Sequence, residues 1–115
     1  MDSILNSIKK LLGIEESYMH FDSDIIMGIN TALSILTQIG VGPVNGFSIS
    51  DKVSVWTDFV SDMSKLELLK SYVHLKVKLL FDPPASSAVI EVISKQISEL
   101  EWRISVSVDP GEEVV

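Results

Sequence analysis

The sequence contains no cysteine, which excludes disulfides, thiolate metal ligands and cysteine nucleophiles together and is compatible with a reducing cytosol. Aromatic residues are also few, at 7%, so the 46% hydrophobic content comes mainly from Ile, Leu and Val. These aliphatic residues recur in every segment, which argues against intrinsic disorder. Over 115 residues they suffice for one core, and we expect one domain.

Long apolar runs and an excess of basic residues are missing as well. No run approaches the roughly 20 residues that span a bilayer, and the start Met1-Asp2-Ser3 lacks a basic leader. We therefore expect neither a recognisable export signal nor a membrane-spanning segment. Nine Lys and Arg against sixteen Asp and Glu give a net charge of −7, the wrong sign for a protein that grips phosphate backbones.

What the sequence does have is apolar residues at helical spacing, which predict the first two helices. The first ends at Gly13, with Lys9 and Lys10 on its polar face. The second begins at an N-cap, Asp22, and ends at Gly40. The apolar positions of the two helices are Ile4, Leu5, Ile8, Leu11 and Leu12, then Ile25, Ile29, Ala32, Leu36 and Ile39.

Glycines and a proline then mark residues 40–52 as the longest loop, since they include three glycines, Pro43 and an Asn-Gly pair. The spacing of Trp56, Phe59, Val60 and Met63 predicts a short third helix after it. Ser54 or Asp51 is its predicted cap.

The fourth predicted helix, about residues 66–81, confines its polar side to an arc of roughly 100°. A helix so widely apolar should lie at the centre of the fold, in contact with the others on several sides. The sequence Asp82-Pro83-Pro84 stops it, because proline disfavours helical geometry at the preceding residue. Ser86 or Ser87 can cap the next helix.

The fifth predicted helix runs to about Arg103, and after it apolar and polar residues alternate. Its stripe consists of Val89, Ile93, Ile97, Leu100 and Ile104. The alternation from Ile104 onward is typical of an extended, strand-like segment. We therefore predict an all-α fold, a compact bundle of about five helices in residues 1–104 with a long loop after helix 2, and an extended C-terminal tail in residues 105–115.

Motifs for chemistry are missing. The sequence contains no Gly-rich phosphate loop, paired-histidine ligand motif or nucleophile elbow. We interpret His20 and His74 as ordinary solvated side chains, and Asp22 and Asp24 as residues of a helix start, not metal ligands. The predictions are no enzyme activity, no catalytic residue, no cofactor and no metal site.

Two residues break the amphipathic pattern. Lys76 lies within the apolar arc of the fourth helix, where it must extend to solvent, form an ion pair with the fifth helix, or pair with another subunit. Of these we favour the ion pair within the chain.

Trp102 points about 180° away from the core stripe of the fifth helix. Exposed tryptophan is enriched in binding hot spots, so we predict a partner contact there; the alternative is that the tail folds over it.

Several strings resemble the head-tail connector, or adaptor, proteins of tailed phages. They are Asp22-Ser-Asp-Ile-Ile-Met27, Ile39-Gly-Val-Gly-Pro43, Lys76-Val-Lys-Leu-Leu-Phe-Asp-Pro-Pro84 and Glu99-Leu-Glu-Trp-Arg-Ile104. The resemblance covers most of the chain, and its motifs mark fold and family but carry no chemistry.

The resemblance implies a helical subunit that assembles beneath the portal protein as a ring, commonly of twelve. It further implies that the ring continues the DNA channel, joins the portal to a downstream neck, stopper or tail protein, and helps to retain the genome. The implied location is the virion, with the host cytoplasm during assembly. No sequence-specific nucleic-acid binding and no membrane is implied.

For contacts with subunits or partners we predict six residues: Trp102, Ile104, Val106, Val108, Phe47 and Lys76. The extended tail would place Ile104, Val106 and Val108 on one side, where they could dock while their backbone pairs with a partner's strand edge. The loop and the tail are expected to be mobile in the free subunit and to become ordered on assembly.

A small acidic phage regulator that mimics DNA charge and inhibits a host protein is the alternative function. Such a protein would carry dense carboxylates along one face. Here the acids are dispersed, interleaved with lysines or placed at helix starts, which disfavours this alternative.

Overall fold

Five α-helices and one 3₁₀ turn form residues 3–108, the part of the chain that the computed structural model describes. In chain order they are α1 (Ile4–Leu12), α2 (Asp22–Ile39), α3 (Trp56–Phe59), the 3₁₀ turn (Met63–Lys65), α4 (Leu66–Phe81) and α5 (Ser87–Val108). In that range β structure is limited to one isolated bridge, between Ser3 and Val55. The predicted all-α fold is confirmed, and no described helix is long and apolar enough to cross a membrane.

The helix α1 is held at both ends by local hydrogen bonds and along its side by α3. Ser3 caps its start, where Oγ accepts a hydrogen bond from the N–H of Asn6 at 3.1 Å. Gly13 ends it in the left-handed conformation, as predicted, with φ of 82°. The indole N–H of the buried Trp56 donates to Oγ of Ser7 at 2.9 Å, which joins α1 to α3.

The N-cap of α2 lies one residue earlier than the sequence predicted. Phe21 occupies the N-cap position and Asp22 is the first helical residue, so the prediction of Asp22 as the cap is wrong. The predicted stripe is buried, with Ile39 partly so, and Gly40 ends the helix as predicted.

The central position predicted for the fourth helix is confirmed, because α4 packs against α1, α2 and α5. Its bounds match the prediction, and its buried residues are Leu69, Tyr72, Val73 and Val77. Close approach to α2 occurs at Gly28, where an added Cβ would lie 3.5 Å from the Val77 side chain. This is an ordinary van der Waals distance, so an alanine would also fit between the two helices.

The loop after α2 is long, as predicted, but it is fixed at two buried points, Val41 and Ile49. The Asn30 side chain of α2 accepts a hydrogen bond from the N–H of Ile49 at 2.8 Å and donates to its carbonyl at 2.9 Å. Beyond it, α3 is a single turn. Its N-cap is Val55, not Ser54 or Asp51 as predicted, and Met63 belongs to the 3₁₀ turn and not to α3.

The helix α5 continues to Val108, so the prediction of an extended segment from Ser105 is wrong for residues 105–108. Alternation of apolar residues over five positions also fits a helix, since Ile104 and Val108 are four apart and face the core together. The hydroxyls of Ser105 and Ser107 donate to the carbonyls of Trp102 and Ile104, which removes their competition with the helical backbone. The predicted tail in 109–115 lies outside the described residues.

Candidate functional site: two exposed apolar surfaces

The segment between α1 and α2 is organised by a buried lysine. Lys9 was predicted on the polar face of α1, but its side chain is fully buried, with 0% exposure. Its Nζ donates to the carbonyls of Glu16 at 3.0 Å and Tyr18 at 2.8 Å, and lies 2.8 Å from Oδ1 of Asp22. These contacts hold residues 14–21 against the first turn of α2.

A series of aromatic contacts connects the segment after α1 with the end of α4. Phe21 has its ring centroid 5.8 Å from that of Tyr18 and 4.7 Å from that of His20. On its other side it meets Phe81 edge-on, at 5.3 Å. Edge-on contacts are favoured between aromatic rings, so Phe21 joins the start of α2 to the end of α4.

The first exposed apolar surface is a groove at this junction, which we call the α2–α4 groove. It encloses about 530 Å³ and is lined by Phe21, Asp24, Met27, Gly28, Thr31, Leu80 and Phe81. Met27 is 68% exposed and Leu80 57% exposed. The sequence interpretation missed this groove. Met27 lies off the core stripe of α2, but Leu80 lies within the apolar arc of α4, so its exposure follows only from the fold.

The second exposed apolar surface is the outer face of α5, centred on Trp102 and Val106. Trp102 is 65% exposed and Val106 51% exposed, and Val92 continues the face toward the start of the helix. The predicted orientation of the indole away from the core stripe is therefore confirmed. Its contact with a partner stays a prediction.

The position of this α5 face is fixed by polar contacts with α4 and the 3₁₀ turn. The buried Tyr72 donates its hydroxyl to Oε2 of Glu101 at 2.7 Å, and Lys65 Nζ donates to the carbonyl of Ser107 at 3.3 Å. Burial and the bond to Glu101 raise the pKa of the Tyr72 hydroxyl. Trp102, next to Glu101, is thereby held on a rigid element.

The structure separates the three tail residues that the sequence grouped. Ile104 is buried in the core and Val108 is partly buried against it, whereas Val106 faces outward. The prediction that all three share one side of an extended segment is wrong because the segment is helical. Ile104 is therefore removed from the proposed contact surface, and Val106 joins Trp102 on it.

Neither Phe47 nor Lys76 lines the α2–α4 groove or belongs to α5. Phe47 is half-buried, with its ring 5.4 Å from the ring of Phe59. Lys76 is half-buried, and none of the ion pairs formed within residues 3–108 includes it. The predicted ion pair between Lys76 and the fifth helix is therefore wrong for the described chain, because its Nζ meets no carboxylate there.

The histidines are far from each other and differ in environment. His20 is exposed, as predicted, while His74 is half-buried, so the prediction of an ordinary solvated side chain is wrong for His74. Burial and then the nearby charge of Lys78 lower the pKa of His74. Between residues 3 and 108 no group of three or more His, Asp or Glu is placed to hold a metal ion.

Comparison with known proteins gives one positive finding. The sequence family described as "Phage connector protein" matches residues 4–111, which span every helix of the fold. Comparisons with curated proteins and with solved structures gave no match. The family match thus rests on nearly the whole chain.

Proposed function

The chain belongs to the phage connector protein family, and on that premise we propose that it forms a ring beneath the portal protein of a tailed phage. The ring would continue the DNA channel and join the portal to the next neck, stopper or tail protein. Membership of the family itself gives the coarser role, that of a connector component of the virion. Twelve subunits, and a stage in the host cytoplasm during assembly, belong to the proposal.

One observation carries the proposal of a ring: the large exposed indole of Trp102 on a rigid helix. An exposed Trp beside an exposed Val is typical of an interaction surface, because burial of aromatic side chains dominates interface energies. The core contacts of α5 on its opposite side are already complete at Ile97 and Ile104. A partner can therefore cover Trp102 without any rearrangement of the fold.

The charge of the chain supports a passive role toward DNA. With a net charge of −7 the surface lacks the excess of Lys and Arg that neutralises phosphates. A weakly repulsive channel lets DNA slide, whereas a basic one retains it. We therefore propose no sequence-specific DNA binding and no catalytic step; the role is structural.

The acidic-regulator alternative makes a different demand on the surface. A DNA mimic needs dense carboxylates on one face, but two of the described acids are paired with basic residues of their own helix or its end, Asp82 with Lys78 and Glu99 with Arg103. Asp22 is paired with the buried Lys9. This pairing favours the structural role over charge mimicry.

Native mass measurement of the purified chain, alone and mixed with its portal protein, tests the proposal. We expect a discrete large oligomer, formed alone or on addition of portal. Trp102→Ala should leave thermal stability nearly intact and weaken ring formation or portal attachment by roughly 2 kcal/mol or more, as hot-spot truncations do. Ser94→Ala, an exposed change on the same helix, is the matched control and should assemble normally.

Two outcomes would count against this function. A persistent monomer that binds a host enzyme and ignores the portal would favour the regulator. Unfolding of the Trp102→Ala variant would place the indole in the chain's own core and move the partner surface to the loop around Phe47.

A further inference from the structure

Asn45 and Gly46 form the Asn-Gly pair of the long loop after α2, a dipeptide with a chemistry of its own. Asparagine is a thermolabile residue, because the backbone nitrogen of the next residue can attack the carbon of its side-chain amide. A following glycine has no Cβ, so it hinders this attack least. The pair belongs neither to the core nor to the α2–α4 groove nor to α5.

The fold leaves this pair open to water. Asn45 is exposed, and its neighbour Val44 is 95% exposed. A Cβ added at Gly46 would meet no atom within 4 Å, so there is space beside the attacking nitrogen. Among the hydrogen bonds formed within residues 3–108, none involves the Asn45 side chain. No bond in that range therefore holds the amide away from the Gly46 nitrogen.

A backbone hydrogen bond restrains the attacking nitrogen itself. The N–H of Gly46 donates to the carbonyl of Pro43 at 2.9 Å, which closes a turn over residues 43–46. The nitrogen must leave this bond before it can attack. The loop is anchored on either side of the turn by the buried Val41 and Ile49. The exposed turn can therefore open locally while the core stays in place.

The other two asparagines of the sequence, Asn6 and Asn30, are held in helices. Asn6 precedes Ser7, whose N–H donates to the carbonyl of Ser3 at the start of α1. Both polar atoms of the Asn30 amide are bonded to the backbone of Ile49. Neither is followed by glycine, so they provide internal references for the reactivity of the loop asparagine.

We propose that Asn45 is a site of spontaneous deamidation, at a rate limited by opening of the turn over residues 43–46. The Gly46 nitrogen forms a bond to Cγ of Asn45, and the bond from Cγ to Nδ2 breaks. Nδ2 leaves as ammonia with the proton that the Gly46 nitrogen gives up. Water then opens the cyclic imide at either of its carbonyls, which yields aspartate or isoaspartate. The reaction needs no oxidant or reductant, and the inference does not depend on the connector role.

Deamidation would change the polar groove beside this loop. The groove is lined by Asn30, Ser34, Thr37, Gln38 and residues 45–48, and none of these side chains is charged. A carboxylate at position 45 introduces a charge there and adds one negative charge to the net charge of −7. Isoaspartate also lengthens the main chain by one carbon, two residues before Phe47, whose ring packs on Phe59.

Prolonged incubation of the folded full chain in mildly alkaline buffer, followed by peptide mass mapping, tests the site. We expect Asn45 to become aspartate and isoaspartate, the latter detected with an isoaspartate methyltransferase, while Asn6 and Asn30 keep their amides. Asn45→Gln is the matched control and should stay unmodified, because attack on the longer side chain must close a larger ring. An amide at Asn45 that persists as long as that of Asn30 would overturn the proposal.

The role of the turn is tested by comparing rates. In urea-unfolded chain Asn45 should lose its amide between about twofold and tenfold faster than in the folded chain, the factor that one backbone hydrogen bond contributes. Pro43→Gly keeps the Asn-Gly pair but frees the backbone of the turn, so its rate should lie between the two. Amide exchange at the centre of α4 checks that this variant stays folded. Equal rates in folded and unfolded chains would refute control by the turn.

Discussion

Lys9 Nζ and Asp22 Oδ1 lie 2.8 Å apart, and together they join the last turn of α1 to the first turn of α2. The lysine is fully buried, whereas the aspartate side chain is 24% exposed. The contact is a short ion pair between the lysine ammonium group and the aspartate carboxylate. Two backbone carbonyls complete the lysine's donors, which is how the fold compensates for a buried charge.

Lys9→Met should therefore destabilise the fold by about 3 kcal/mol, the range seen when one partner of a buried pair is removed. The methionine keeps most of the apolar stem, but Asp22 loses its cationic partner and the carbonyls of Glu16 and Tyr18 lose their donor. Urea unfolding gives the free energy. Lys10→Met, at the exposed neighbouring position, is the control and should change it little. Equal small effects would mean that the buried contacts contribute nothing.

The loss in free energy of unfolding on truncation of each leucine in α4 should follow how deeply that side chain is buried. Leu69→Ala should lower the free energy of unfolding by about 2 to 5 kcal/mol, because Leu69 is almost fully buried. Leu79→Ala should lower it by less, since Leu79 is only half-buried. Leu80→Ala, at an exposed position, should have little effect on the monomer. Denaturant melts that fail to rank the three in this order would contradict the central placement.

Two loop glycines allow a matched comparison of strain and clash. Gly42 and Gly46 both have positive φ, at 82° and 95°, so alanine at either costs roughly 1 to 2 kcal/mol in backbone conformation. At Gly42 the added Cβ would also lie 2.5 Å from the Phe59 ring, while at Gly46 it meets nothing. Thermal melting should therefore place Gly42→Ala clearly below Gly46→Ala. The same melting temperature for both would show that the ring moves aside freely.

The loop after α2 should divide into a protected and an unprotected part. In the free chain the Ile49 amide should exchange slowly, because Asn30 accepts its hydrogen bond and its side chain is buried. Asn30→Ala should accelerate that exchange by at least about tenfold and leave the centre of α4 unchanged. Asn45→Ala, in the exposed part of the loop, is the control. Fast exchange at Ile49 in the wild-type chain would restore the earlier expectation of a loop that is mobile throughout.

The sequence predicted those features of the fold that depend on neighbouring residues, and it did not predict those that depend on tertiary contacts. Helical period and terminators act locally, so the bounds of α4 and the glycine ends of α1 and α2 could be predicted. The burial of Lys9 could not be predicted, because its hydrogen-bond partners are backbone carbonyls seven and nine residues away, and the identity of those residues does not reveal the contact. Residues 104–108 were ambiguous, since their alternation fits a strand while their four-residue spacing fits a helix.

Of the two exposed apolar surfaces, only the one around Trp102 could be predicted from the sequence. Trp102 violates the pattern of its own helix, and that violation can be read from α5 alone. The α2–α4 groove needs the start of one helix and the end of another, which only the tertiary fold brings together. The position of Met27 off the stripe of α2 does not by itself indicate a groove whose other side is formed by α4.

The bond between Trp56 and Ser7 spans 49 residues, and this distance sets an order for folding on the ribosome. Translation delivers α1 long before its partners in α3 and α4, so the part of its apolar face that packs against them stays uncovered until they are made, while α2 can cover another part earlier. A nine-residue helix is too short to persist alone in water. The nascent chain therefore completes the packing of α1 only once α3 and α4 have emerged.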